Sequence, residues 1–174
     1  LGRDVDRLSM VANRFSKIGA EPELEPVNVF QELHKSREYM QKRAPRKVSF
    51  DFPAPDAGDI NAAINPLLFD WVLENLLRNA LDAMDGKGQI SGRVRELENK
   101  VYIDITDTGK GIAPKNIRKV FNPGFTTKKR GWGLGLSLVK RIVEEYHRGK
   151  IAVSHSEVGV GTTFTITLPR VYAG

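Results

Sequence analysis

Three short stretches carry residue types at spacings suited to chemistry. In LENLLRNALDAM, Asn75 and Asn79 stand four apart and share one face of a helix, with Glu74 adjacent and Asp82 a turn later. Asn is a poor helix-interior residue because its amide competes with the backbone. Two readings account for the pair: the carboxamides bond to neighbouring loops, or their oxygens help hold a hard divalent cation that carries phosphates, since Mg²⁺ takes few protein oxygens. Asp107-Thr108-Gly109-Lys110-Gly111-Ile112 follows a strand. It is either a plain turn or a carboxylate at the bottom of a cleft, accepting a hydrogen bond from an amino group while the glycines leave room for a flat ring. Thr126, Thr127, Lys128, Lys129 and Arg130 lead into Gly131-Trp132-Gly133-Leu134-Gly135-Leu136 and then a helix. A glycine-rich basic loop at a helix start is a hinge, or a cradle for polyphosphate whose amides and helix dipole favour anionic oxygens.

The elements that must position these stretches follow from periodicity and punctuation. Leu1, Val5, Leu8, Ala12 and Phe15 form a heptad seam over residues 1–18, widened by Val11 and Ile18. This is an amphipathic helix packed on its own domain or the end of a longer helix that pairs with a partner; the narrow stripe favours the second. Residues 19–26, with Pro22, Pro26 and three glutamates, read as a linker. Asn28 with Gln31 resembles a capping box and starts a helix running from Val29 to about Lys42, with Val29, Leu33 and Met40 on one face. Val48, Phe50 and Phe52 alternate as a strand, and a loop follows over 53–58. Asn65-Pro66 opens the helix that carries the two asparagines, ending near Met84. Strands are predicted over 90–94 and 101–105, a short helix over 114–120, a helix over 136–147, and strands over 150–154 and 163–168. In the strand before Asp107, Val101, Ile103 and Ile105 face one way and Tyr102, Asp104 and Thr106 the other. The order is mixed, so an α/β (α+β) fold with a mixed or antiparallel sheet and helices on one face is expected.

Bulk composition narrows the function classes. The chain has 174 residues, 40% hydrophobic and 28% charged, the balance of a globular domain with room for a short appendage. No apolar run reaches the length of a membrane span. There is no signal peptide, and the chain opens on Leu1 in apparent mid-helix, so a fragment of a longer protein is expected. Cys is absent, which excludes disulfides and thiolate metal sites. The net charge of +6 is spread among acids rather than gathered into a stripe, which argues against nucleic acid.

Taken together, ENLLRNALDA, DTGKGI, VFNPGFTTK, GWGLGLSL and GTTFTITLP occur in that order. They resemble the asparagine box, first glycine box, phenylalanine box, second glycine box and final threonine motif of the sensor histidine kinase catalytic domain. That domain shares a superfamily with gyrase, chaperone and mismatch-repair ATPases and the pyruvate-dehydrogenase-type kinases. The resemblance covers residue 27 to the end. It implies the Bergerat-type ATP-binding fold, a two-layer sandwich with a mostly antiparallel sheet. It also implies that residues 27–174 are the catalytic domain, that 19–26 are a linker, and that 1–18 end a dimerisation and phosphoacceptor helix. The cofactors implied are ATP and Mg²⁺. Asn79 would hold the metal with Asn75 assisting, and Asp107 would take the exocyclic amine of adenine. Gly109 and Gly111 would let the base lie flat between Ile112 and Ala83, with Asp82 close by, and Thr162 would complete the water network. Gly133, Leu134, Gly135 and Leu136 would line the phosphates. Phe121, Phe125, Thr126, Thr127 and Lys128 would form a lid, with Lys128 or Arg130 on the terminal phosphates; Arg78 would face the phosphates or make a surface pair.

Two departures sharpen what the resemblance implies. The hydrolysing members of the superfamily place a glutamate base where this chain has Asn75; its acid is Glu74, about 100° around the helix. This points away from a dedicated ATPase and toward transfer to an external nucleophile. His34, His147 and His155 are the only histidines, and none has a phosphoacceptor context; His147 and His155 read as structural or surface residues. The acceptor is then expected on a helix of the parent chain or its dimer partner, and a response-regulator receiver domain as the next partner. No nucleic acid and no direct membrane contact are expected. The location implied is cytoplasmic, within a free or membrane-anchored sensor. Other readings are a superfamily ATPase, a serine-directed kinase and a nucleotide-sensing scaffold.

Overall fold

In a computed structural model, residues 22–125 and 135–172 are described. Strand β1 (Glu25–Asn28) runs into helix α1 (Val29–Gln41), and β2 (Lys47–Asp51) and β3 (Asn61–Ile64) follow. Helix α2 (Pro66–Ala83) leads to the long β4 (Lys87–Leu97) and β5 (Lys100–Asp107). A 3-10 turn (Pro114–Asn116) precedes α3 (Gly135–Arg141), which continues as a π-helical turn (Ile142–Tyr146), and β6 (Lys150–Glu157) and β7 (Gly161–Val171) close the chain. The heptad segment, the first part of the linker, and Thr126, Thr127, Lys128, Lys129, Arg130, Gly131, Trp132, Gly133 and Leu134 lie outside the described residues.

The seven strands form one mixed sheet in the order β1-β3-β7-β5-β4-β2, with β6 also paired to β7. Among the described residues only β2 and β4 pair in parallel. One edge of β7 pairs with β5; the other pairs first with β6 and then, at Arg170 and Val171, with β3. Cross-strand neighbours Val101↔Leu168, Ile103↔Ile166 and Ile105↔Phe164 are all buried and face the helices, as the alternation predicts. The opposite face is polar. Arg95 grips Asp104 with Nε–Oδ2 at 2.7 Å and Nη2–Oδ1 at 3.2 Å, and the Thr165 hydroxyl donates to Asp104 at 2.6 Å.

The helices form where their caps and apolar faces dictate. Asn28 Oδ1 accepts from the N–H groups of Phe30 and Gln31 at the start of α1. Asn65 Oδ1 accepts from Leu68 N–H at 3.1 Å at the start of α2, with Pro66 in the first turn. Leu68, Phe69, Val72, Leu73, Leu76 and Leu77 of α2 are each no more than 1% exposed. Each such side chain contributes about 1.5–3 kcal/mol of burial, so α2 is the centre of the core. Two short strands depart from the expected order. Glu25 and Pro26, read as linker, belong to β1, which pairs antiparallel with β3; β3 itself falls in a stretch for which the sequence predicts no element. Both are only four residues long and are held by pairing rather than by their own propensity.

A charged cluster joins α1 to α2. Lys35 Nζ lies 2.9 Å from Glu32 Oε1 and 3.0 Å from Asp70 Oδ1. Burial, reinforced by the facing Asp70 carboxylate, raises the Glu32 pKa from 4.5 to about 7, against the pull of Lys35. Between those values the folded chain keeps a proton that the unfolded chain has released. This part of the stability is therefore present below about pH 4.5 and is lost as pH rises through 7. Glu32→Gln should flatten the trend: the urea midpoint of the variant, relative to wild type, should rise between about pH 5 and about pH 8. A constant difference would show that Glu32 is ionised throughout.

Candidate functional site

The apolar ladder of β5 and β7 ends in a polar step. Two residues beyond Ile105 the same alternation places Asp107 on the helix side, opposite Thr162, and both are buried. Asp107 Oδ1 accepts Gly109 N–H at 2.8 Å, and the backbone of Thr162 also bonds the carboxylate. Burial pushes the Asp107 pKa up, while the two backbone bonds draw it back. A carboxylate offers about four lone-pair sites, so capacity remains for a donor arriving from the helix side. Beside it, Ser156 Oγ accepts Ile112 N–H at 2.8 Å, lies 2.8 Å from Thr162 Oγ1 and donates to Gly161 O at 3.3 Å. The Thr162 hydroxyl then donates to Ser156 and keeps its own lone pairs for a further partner.

The loop after Asp107 is tied on three sides. Thr108 exchanges bonds with Gln89 of β4 at 3.2 and 3.0 Å, and Lys110 N–H donates to Ala83 O at the end of α2 at 2.9 Å. The Lys110 carbonyl accepts from Gly159 N–H in the β6–β7 turn at 2.8 Å. The glycines in this loop are demanded by contact. A Cβ on Gly109 would stand 2.5 Å from Ala83 O, and one on Gly111, where φ is +76°, would overlap the Glu157 carbonyl.

The two asparagines lie half-buried on α2 as their spacing predicts, and Glu74 beside them is buried. Helix α3 begins against Asn75: a Cβ on Gly135 would be 2.9 Å from Asn75 Oδ1. Leu136 packs onto the core, Asp82 is exposed, and the half-buried Ala83 and Ile112 flank the loop. Phe121 sets its ring edge-on to Phe164 at 6.0 Å, under Lys140 Nζ at 5.6 Å, and Phe125 is half-buried. The structure thus brings Asn75 and Gly135 together, and Asp107, Gly109, Gly111, Ile112, Ala83 and Thr162 into a second group. Thr126, Thr127, Lys128, Gly133 and Leu134 are outside the described residues. Among the described residues no three His, Cys, Asp or Glu side chains gather as a metal site. A cation here would draw on carboxamide oxygens and on its ligand's own oxygens.

Comparison with known proteins places this arrangement. Residues 65–172 match the family described as histidine kinase-, DNA gyrase B-, and HSP90-like ATPase. The chain belongs to that family. Sensor histidine kinase ZraS of Salmonella typhimurium is 36% identical over 98% of the chain, which spans 37% of that relative's length. The mycobacterial sensor histidine kinase MprB superposes with a TM-score of 0.75 at 25% identity, covering 86% of this chain and 99% of that one. The catalytic domain of histidine kinase ThkA gives 0.71 at 26%, covering 84% and 95%. ThkA in complex with response regulator protein TrrA gives 0.72 at 24%, covering 98% and 49%, a likeness of fold. The described residues of this histidine-kinase-type domain thus form an ATP-binding catalytic domain with the expected two-layer α/β architecture.

Some features of the domain were not read from the sequence. Ser156 bonds both the first glycine box and Thr162, yet an isolated serine in a strand gives no signal. The helix predicted over 136–147 is α-helical only to Arg141; a π turn follows, with His147 N–H reaching Ile142 O at 3.1 Å. The predicted helix over 114–120 is a single 3-10 turn followed by further turns. Gly109→Ala should push the loop off Ala83, lowering stability by about 1–3 kcal/mol and weakening ATP binding. Thermal melts and calorimetry together would check this; an unchanged melting temperature would mean that the loop yields freely.

Proposed function

We propose that this chain supplies the MgATP side of histidine phosphorylation in a two-component sensor. The reading rests chiefly on one observation: the buried Asp107 carboxylate ends the β5 ladder beside a glycine loop locked in place, with Asn75 and Asn79 on the adjoining helix. Asp107 receives the exocyclic amine of adenine, and Thr162 and Ser156 order the solvent next to it. Ala83 and Ile112 confine the base. Asn79, with Asn75 beside it, offers carboxamide oxygen to Mg²⁺, and Gly133 to Leu136, with Lys128, take the phosphates. When bound, Mg²⁺ neutralises charge on the phosphate oxygens during transfer. The chain contributes by position and charge.

Asn75 stands where a hydrolytic base would be needed, which favours transfer to an external histidine. The acceptor would lie on the dimerisation helix to which residues 1–18 belong, with 19–26 as connection and 27–174 as catalytic domain. Onward transfer to a response-regulator receiver would follow, in keeping with the ThkA complex with TrrA. No helix among the described residues is long and apolar enough to cross a membrane; we place the domain on the cytoplasmic side of its sensor.

Asp107→Asn should weaken ATP binding tenfold or more, in line with about 1.5–3 kcal/mol for a hydrogen bond to a charged group; equal calorimetric affinity would refute the adenine assignment. Asn79→Ala should lose Mg²⁺-dependent binding while still melting cooperatively, and phosphotransfer by that variant to a supplied acceptor-helix dimer would refute the metal role. With γ-labelled ATP and that dimer, the product should be acid-labile and base-stable; an acid-stable product would indicate a serine-directed kinase.

A further inference from the structure

We infer that His147 is a positioning residue for the phosphate end of the site, tying the end of the α3 segment to the start of α2. This rests on the assignment of Asn75, Asn79 and Gly135 to that end. The imidazole is 2% exposed. Its Nε2 accepts Asn65 N–H at 3.1 Å, so that nitrogen bears no proton; Nδ1 carries it and donates to Ile142 O at 3.0 Å. Burial lowers the pKa, in keeping with a neutral ring. The ring also lies against Phe69 of α2, with centroids 5.5 Å apart.

Both partners of His147 sit at junctions. Asn65 caps α2, the helix that carries Asn75 and Asn79. Ile142 opens the π turn, and its carbonyl takes both the His147 N–H and the ring N–H. A π turn widens the helix by one residue and frees carbonyl direction that an α-helix would fix. The segment from Gly135 to His147 packs along α2 through the buried Val139, Ile142 and Val143, and its two ends are placed at Gly135 against Asn75 and, ten residues earlier in the chain, at His147 against Asn65, the cap of α2. Two contacts at opposite ends define the angle of one helix on another. Gly135 has no side chain with which to anchor the first, whereas the second carries the hydrogen bond from Asn65 N–H, which fixes where the segment sits along α2. Loss of the His147 tie would let the segment turn or slide along α2 and so shift the Gly135 backbone that faces Asn75, leaving Asp107, held by β5, β7 and the glycine loop, where it is.

The test separates the two ends of the nucleotide. In the 174-residue chain, His147→Gln keeps a carbonyl oxygen that can accept Asn65 N–H, whereas His147→Asn is too short to reach it. His147→Asn should raise the Kd for MgAMPPNP about tenfold, about 1.4 kcal/mol, with adenosine affinity by NMR unchanged. His147→Gln should restore MgAMPPNP binding to within about twofold of wild type. Equal losses for MgAMPPNP and adenosine, no loss in His147→Asn, or a Gln variant as weak as Asn would each overturn the role. In the wild-type chain, which needs no variant to fold, amide exchange at Asn65 should slow on adding MgAMPPNP and not on adding adenosine; no slowing with MgAMPPNP also overturns it. Asn79→Ala is the control: if it retains MgAMPPNP affinity, the metal assignment fails and this inference with it, whereas loss there with none in His147→Asn removes the positioning role alone.

Discussion

The site depends on one register step. β5 and β7 pair so that every second residue enters the core, and three apolar pairs in succession fix that register against slippage. A slip of one residue would turn Val101, Ile103 and Ile105 outward and bring Tyr102, Asp104 and Thr106 in. The cost of such a slip is the whole inward row. Asp107 gains its buried, helix-facing position from this same rule, without any local feature of its own. The apolar core thus aims a carboxylate, and the sheet's stability becomes the site's precision.

The carboxylate would be a liability without the loop that follows it. A buried acid unpaired with donors costs several kcal/mol or takes up a proton. Gly109 N–H and the Thr162 backbone offset that cost, and each requires a neighbour at backbone distance. Glycine at 109 lets the loop reach Ala83, and the Lys110 bonds to Ala83 and Gly159 hold it there. The end of α2, the start of β4 and the β6–β7 turn therefore meet at one loop, and the four elements can shift only together.

Strong periodicity made the centre of this fold legible and left its margins hidden. The inward rows of β5 and β7, the α2 core face and the Asn28 and Asn65 caps follow from alternation, helical spacing and cap chemistry, and each was found in place. β1 and β3 are four-residue strands with a proline or two alanines, so nothing local marks them; they exist because β7 extends far enough to pair with β3. The π turn was invisible because LVKRIVEEYH has the apolar spacing of an ordinary helix, and only the bond from His147 N–H back to Ile142 O shows where the extra residue is absorbed. The Glu32–Asp70 encounter joins residues on two helices, and no spacing within either helix encodes it. For the site, the asparagine face and the first glycine box were legible as chemistry, whereas Ser156 was not, because its role comes from the hairpin that brings Ile112 to it.

The contact between Asn75 and Gly135 bears on the proposed preference for transfer over hydrolysis. Asn75 Oδ1 already stands where the first side-chain atom of any residue but glycine at 135 would fall, 2.9 Å away. A glutamate at 75 would carry its carboxylate one methylene further and would have to turn aside from α3. An acid together with an ordered water would need more room than the Asn75–Gly135 approach leaves. Glycine at 135 permits the close approach of α3, and a short amide at 75 fills it. On the function proposed above, the absence of an acid at position 75 and this approach would be one feature seen from two helices, with the nucleophile supplied from outside the domain.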